Sequence, residues 1–251
     1  MMDGGVESRE AMDTLAFLIE RRQEILEAVR ESLGMASRSE GDVRVVAVSK
    51  TADVERFLLA CEAGWDAFAE NRPQELVRKT AALGSFPPEA RPTMDMIGNL
   101  QTNKINQIVG RVRLIHSISS AHLAEAVSKR AEPRGMVQDV LLEVNVSGEA
   151  SKSGFSPDEL RKELENVLVL PGIRVSGLMT MAPAGDRSVA RRTFAALREY
   201  RDELEARAGC PLPELSCGMS ADFREALLEG STIVRLGRVV FSPEHPLIPA
   251  K

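Results

Sequence analysis

The chain is poor in the residues that build metal sites and disulfide frames. Its 251 residues include three cysteines (Cys61, Cys210, Cys217) and three histidines (His116, His122, His245). They are scattered along the sequence, so neither a zinc site nor a disulfide framework is expected, and metal catalysis has no obvious ligand set. No apolar run is long enough to span a membrane. There is no basic excess: 32 Lys and Arg face 37 Asp and Glu, for a net charge of −5. That balance argues against a nucleic-acid partner, although a small anion needs only local positive potential. The N-terminus lacks a basic stretch followed by an apolar one, so no export signal is read and a reducing cytoplasm is the expected compartment. Internal repeats and low-complexity segments are also missing.

What is present is an alternation of short apolar runs with amphipathic stretches. Residues 1–10 read as a flexible arm. Residues 11–33 carry helical apolar spacing at Leu15, Leu18, Ile19, Ile25, Leu26 and Val29. Strands are expected near 43–49, 66–69, 93–97, 112–116, 137–146, 173–179, 213–216 and 232–236. Helices are expected near 53–62, 73–83, 101–108, 120–132, 157–168, 186–207 and 220–229. Such alternation implies an α/β fold with a parallel sheet, and eight strands point to a closed (β/α)8 TIM barrel. An open doubly wound sheet is the alternative. Residues 242–249 are broken by proline, so no helix is expected after the eighth strand. The helix at 11–33 is expected to fill that gap and close the barrel. This makes 11–242 a single barrel domain and 243–251 a C-terminal tail.

Candidate chemistry gathers where the barrel mouth should be. The apolar run Val45 to Val48 leads through Ser49 into Lys50. A lysine at the end of a buried strand is expected to be desolvated, which favours the neutral amine that a Schiff base to a carbonyl cofactor requires. The bland alternative is a surface lysine at a strand end. In a parallel barrel, functional residues collect at the C-terminal ends of strands. Lys50, Glu70 and Asn71, Gly98 and Asn99, Met179 to Met181, Ser216 to Ser220, and Arg235 with Gly237 and Arg238 should therefore share one mouth. Gly218 and Ser220 sit where a helix is expected to begin, and Gly237 admits close backbone approach, so these two segments read as a phosphate cradle. Singly, each also reads as a helix cap or a strand end. Arg235 shares a strand face with Ile233 and Gly237. It reads either as half of a salt bridge with a carboxylate such as Glu143, or as a donor to a cofactor's ring nitrogen. An arginine donates and does not accept, so it would keep that nitrogen unprotonated.

These segments resemble the YggS/PROSC-type pyridoxal phosphate homeostasis family, whose barrel is similar to the N-terminal domain of alanine racemase. The resemblance is carried by residues 47–51 (Ala-Val-Ser-Lys-Thr), 70–76 (Glu-Asn-Arg-Pro-Gln-Glu-Leu), 97–104, 144–149, 151–155, 177–183, 218–223 (Gly-Met-Ser-Ala-Asp-Phe) and 230–238. It implies pyridoxal 5'-phosphate (PLP) as cofactor, with Lys50 forming the internal aldimine. Asn71 would contact the cofactor near its ring oxygen. Ser220 and the backbone of Gly237 and Arg238 would hold the phosphate, Arg235 would face the pyridine nitrogen, and Met179 would help line the pocket. It also implies a monomer that passes cofactor to PLP-dependent apoenzymes. The sequence departs from the family pattern at Asn99, usually histidine, and at Ala52, usually lysine. Ala69, Cys217 and the Phe241-Ser242 pair also differ.

Two functions compete on these residues: a PLP carrier or buffer, and a PLP-dependent amino-acid racemase. Racemisation needs a second base opposite Lys50. The one tyrosine, Tyr200, is expected on the outside of the barrel, and His116 could reach the mouth from strand four. A third reading, a barrel enzyme acting on a phosphorylated metabolite, leaves Arg235 without a role.

Overall fold

The computed structural model describes residues 4–149 and 153–247. Eight parallel strands pair in chain order and close on themselves: β1 (Arg44–Val48), β2 (Ala67–Glu70), β3 (Thr93–Met96), β4 (Leu114–Ile118), β5 (Gln138–Glu143), β6 (Ile173–Met179), β7 (Glu214–Ser216) and β8 (Ile233–Leu236). The seam lies between β1 and β8, in register from Arg44 opposite Ile233 to Ala47 opposite Leu236. The fold is thus the (β/α)8 barrel that the alternation predicted.

Strand periodicity sorts the side chains into two layers. Val46, Val48, Ala67, Ala69, Leu114, Leu141, Met179 and Ile233 form a small inner cluster. Residues one step along, such as Ala47, Phe68, Met96, Val140, Leu178 and Leu236, pack outward into the larger core under the helices. The helices are α2 (Val54–Glu62), α3 (Pro73–Ala82), α4 (Ala121–Ala131), α5 (Pro157–Leu168), α6 (Arg187–Ala208), α7 (Phe223–Leu228) and the single turn α8 (Arg238–Phe241). Their starts are locally encoded. Asp53, Ser120 and Asp186 cap α2, α4 and α6 through their side chains, and Ser156 with Glu159 forms a capping box on α5.

The long helix α1 (Gly4–Met35) precedes β1 and packs against α2, α7 and α8, filling the gap beside β8. Buried Arg21 locks it there, donating to the carbonyls of Val239 at 2.9 Å and His245 at 2.8 Å. Arg38, just past α1, donates to Leu227 and Ser231 carbonyls.

Four expectations need correction. The segment read as an arm is helical from Gly4. The segment 101–108 is a 3-10 helix over Thr102–Gln107, a distinction that apolar spacing does not encode. The last helix before β8 begins at Phe223 rather than 220, because the Asp222 carboxylate accepts from Met219 N and closes a turn first. One helical turn, α8, does follow β8; it fits in the four residues before Ser242 and Pro243 end it. Residues 151–152 of the quoted motif, residues 1–3 of the arm and 248–251 of the tail lie outside the described residues. Among the described residues, no helix is long and apolar enough to cross a membrane, and no cluster of three metal-ligating side chains occurs.

Candidate functional site

The strand ends assemble one mouth. Ser49 N donates to Ala69 O at 3.1 Å and Ile97 N to Glu70 O at 2.9 Å, which carries the β1–β3 ladder to the rim. There the chain turns, with Ala52 N donating to Ser49 O at 2.9 Å, and the turn presents Lys50. Lys50 is exposed, which corrects the expectation of a desolvated amine: Ser49 is the last buried residue of the run, and the turn carries the next side chain out over the rim. Asn71 is half-buried and its backbone lies against Gly98 so closely that a Cβ at 98 would overlap the Asn71 carbonyl. Ser117 Oγ donates to Gly98 O at 2.6 Å and fixes that contact. Asn99 is exposed beside it. Met179 ends β6 buried, in register with Glu143 on one side and Ser216 on the other.

The two segments read as a phosphate cradle converge. Arg235 N donates to Gly218 O at 3.0 Å, and Val239 N donates to Ser220 Oγ at 3.3 Å, which ties the loop after β7 to the turn after β8. Ser220 is not the cap of α7, whose N-cap is Asp222; its hydroxyl accepts from the first turn of α8 instead. Gly218 requires glycine: its φ is +93°, and a Cβ would lie 2.5 Å from Ala226 Cβ. Gly237 has no such requirement from the protein, since its Cβ would meet Val48 at an ordinary 3.5 Å. Arg238 is exposed, so its side chain faces solvent.

Arg235 points into the barrel and is 4% exposed. It donates to Ser216 Oγ and, at 3.1 Å, to the Thr180 carbonyl. Among the described residues no carboxylate forms an ion pair with it, so the expected alternative of a salt bridge with Glu143 is not what holds it. Burial pulls the Arg235 guanidinium below its ordinary pKa, opposed by charge at Cys217, Asp222 and Glu143. Cys217 is no counter-charge at neutral pH, because burial pushes its thiol up to about 11. A cation this buried is costly unless something pairs with it.

Behind Arg235 runs a directed chain. Ser216 Oγ accepts from Arg235, so its own proton goes to His116 Nδ1 at 2.8 Å. His116 Nε2 then donates to Asp95 at 3.1 Å, and Arg113 holds the same carboxylate through two bonds of 3.1 and 2.7 Å. Burial lowers the His116 pKa, against the raising effect of Asp95. For Asp95, burial would raise the pKa, but His116 and Arg113 together hold it below the usual carboxylate value. His116 is wholly buried with both ring nitrogens committed, so it does not reach the mouth as a base. Tyr200 is on the outer helix α6, its hydroxyl donating to Pro157 O at 2.6 Å.

Sequence reasoning missed Asp95, Arg113 and Lys79. Asp95 sits inside the apolar run of β3, where an inward-facing polar residue at an alternate position was the available signal; Arg113 directly precedes β4, off that alternation, and carried none. Lys79 is buried on α3 and contacts Ser49 O, next to Lys50. A cleft of about 440 Å³ at the opposite end of the barrel is lined by Arg22, Arg44 and Arg113, but also by Asp42, Asp66 and Glu214. Its charges balance, so it offers an anion no net attraction.

Residues 26–244 match the family model described as alanine racemase, N-terminal domain. The chain is 41% identical to the pyridoxal phosphate homeostasis protein of Aquifex aeolicus, over 88% of this chain and 96% of that one. It is 36% identical to the protein of the same name from Pseudomonas aeruginosa, over 95% of this chain and all of the relative. Among solved structures, PipY of Synechococcus elongatus with PLP bound superimposes with a TM-score of 0.75 at 33% identity, covering 85% of this chain and 100% of PipY. An alanine racemase from Clostridium difficile shares the fold at 16% identity and a TM-score of 0.67, over 91% of this chain and 56% of the enzyme.

Proposed function

The chain belongs to the alanine racemase N-terminal domain family and, within it, to the pyridoxal phosphate homeostasis proteins; on that premise we propose that it binds PLP at the barrel mouth and serves as an intracellular carrier or buffer of the cofactor. The observation that carries the reading is Arg235, a buried cation with no ion-pair partner among the described residues, held inside the barrel at the ends of β6 and β7 by the Thr180 carbonyl and the Ser216 hydroxyl, on the strand whose following turn is bonded to Ser220. PLP would bring an electrophilic aldehyde, an anionic phosphate and a ring nitrogen that can accept a hydrogen bond. The residues present fit all three. Lys50 supplies the amine that captures the aldehyde. Ser220 and the backbone at Gly237 and Arg238 hold the phosphate, on loops that a hydrogen bond already joins. Arg235 donates to the ring nitrogen and so keeps a proton off it, which weakens carbanion chemistry and suits storage better than turnover. Asn71 and Met179 line the ring.

The racemase alternative loses its two candidate bases, since His116 is committed inside the barrel and Tyr200 outside it. The recipients we infer are PLP-dependent apoenzymes in the cytoplasm, served by a monomeric barrel unit of residues 11–242. Titrating the purified protein with PLP should produce visible absorbance that saturates at one cofactor per chain. Incubation of that complex with L- or D-alanine should give no appreciable interconversion. Failure to take up PLP, or rapid racemisation, would overturn the reading.

A further inference from the structure

Beneath the rim lies an ion pair in an unusual place. Lys79 and Glu70 are 1% and 0% exposed, and they bond to each other in the layer between the barrel and its helices. Lys79 comes from the buried face of α3, with Pro73 and Leu76, and its ammonium sits 5.8 Å from the centre of the Phe57 ring on α2. Glu70 ends β2. Both converge on Ser49, the residue before Lys50. Lys79 Nζ donates to the Ser49 carbonyl at 2.6 Å, and Ser49 Oγ donates to Glu70 Oε1 at 2.7 Å. Ser49 N is held by Ala69 O, so all polar groups of Ser49 are engaged. Glu70 Oε2 is buried with no hydrogen-bond partner.

An apolar pair of similar volume would commonly be no less stable than a buried ion pair, particularly one with an unsatisfied oxygen. Fold stability therefore does not account for it. The pair is closed off from solvent; apart from the Phe57 ring beside the ammonium, what its side chains hold is the peptide that launches Lys50. The Ser49 carbonyl is also the acceptor that closes the turn to Ala52. A fixed acceptor there sets the direction in which the chain leaves β1, and hence where the exposed Lys50 stem begins.

We infer that Glu70 and Lys79 are positioning residues, which clamp Ser49 so that the Lys50 amine starts from one orientation over the mouth. This rests on the reading of Lys50 as the amine that captures the PLP aldehyde. The clamp lowers the conformational freedom that Lys50 must give up on bonding, so it acts on cofactor affinity and on the rate of capture rather than on folding.

The test is the double variant Glu70→Leu/Lys79→Met, which removes both charges together. Thermal unfolding should be unchanged or higher. PLP affinity, read from the visible band, should fall on the order of tenfold, and capture should slow. Borohydride reduction of the wild-type complex should still mark Lys50; a label elsewhere would remove the underlying reading rather than the clamp. If Lys50 is marked and the stable double variant takes up PLP with wild-type affinity and rate, the clamp is refuted. Should the double variant not fold, Ser49→Ala decides, because it deletes only the hydroxyl bridge to Glu70. Several-fold weaker PLP binding by that folded variant supports the inference, and wild-type binding overturns it.

Discussion

At the scale of single residues, the energetics centre on Arg235. Its surroundings supply a hydroxyl and a carbonyl but no ion-pair partner among the described residues. Such a cation is retained at the expense of stability, and the effective penalty for burying an ion reaches several kcal/mol. Arg235→Leu should therefore leave the cofactor-free protein as stable as the wild type or more so, by about 1–3 kcal/mol. It should at the same time weaken PLP binding. Denaturant unfolding and a PLP titration of the same sample check both halves; a variant that is destabilised, yet binds normally, would assign Arg235 to the scaffold. Legibility at this scale was uneven. Arg235 was found from its place on strand eight. Lys50 was expected to be buried and is exposed, since apolar lead-in residues report burial of the strand and not of the turn that follows. Lys79 was not singled out, although its spacing with Pro73 and Leu76 put it on the apolar face of the helix.

At the scale of elements, the site depends on loops that strands deliver and local chemistry shapes. The loop after β7 is the clearest case. Gly218 takes a φ that side chains rarely adopt, and the Asp222 carboxylate holds the next turn through Met219 N. Gly218→Ala should cost about 1–3 kcal/mol through backbone strain and the clash with Ala226. For a chain of this size, each kcal/mol lowers Tm by about 2–4 °C. Cofactor retention should fall as well, because Ser220 moves with the loop. An unchanged Tm would show that the loop is not strained as described. Element boundaries were legible wherever a cap or a proline marks them, as at Ser156-Pro157. They were less so at 219–222, where a side chain closes a turn before the helix starts, and at 238–241, where a single helical turn carries no periodic signal.

At the scale of the whole molecule, barrel closure was legible because strand-helix alternation and the extra N-terminal helix leave few topologies. The chain of polar groups across the lumen was not, since bonded partners such as Asp95 and His116, or His116 and Ser216, are far apart in sequence. That chain predicts a pH dependence of stability. Burial depresses the folded-state pKa of His116, so the unfolded chain takes up the proton first as pH falls below about 6.5. The stabilisation is complete above that pH and is lost as pH falls toward the depressed folded value, with a slope of at most about 1.4 kcal/mol per pH unit. Asp95 adds a loss at lower pH, below the ordinary carboxylate value, because its folded pKa is also depressed. Urea unfolding from about pH 7.5 to about pH 5.5 should show the histidine slope in the wild type and a flatter line in His116→Gln. Equal slopes would mean that another group titrates there.

All three scales meet at one bond. The protein should be loaded with PLP, reduced with borohydride, digested and weighed by mass spectrometry. The account predicts the mass of reduced cofactor on the peptide containing Lys50. Label confined to any other lysine, or a chain that carries none after loading, would contradict it.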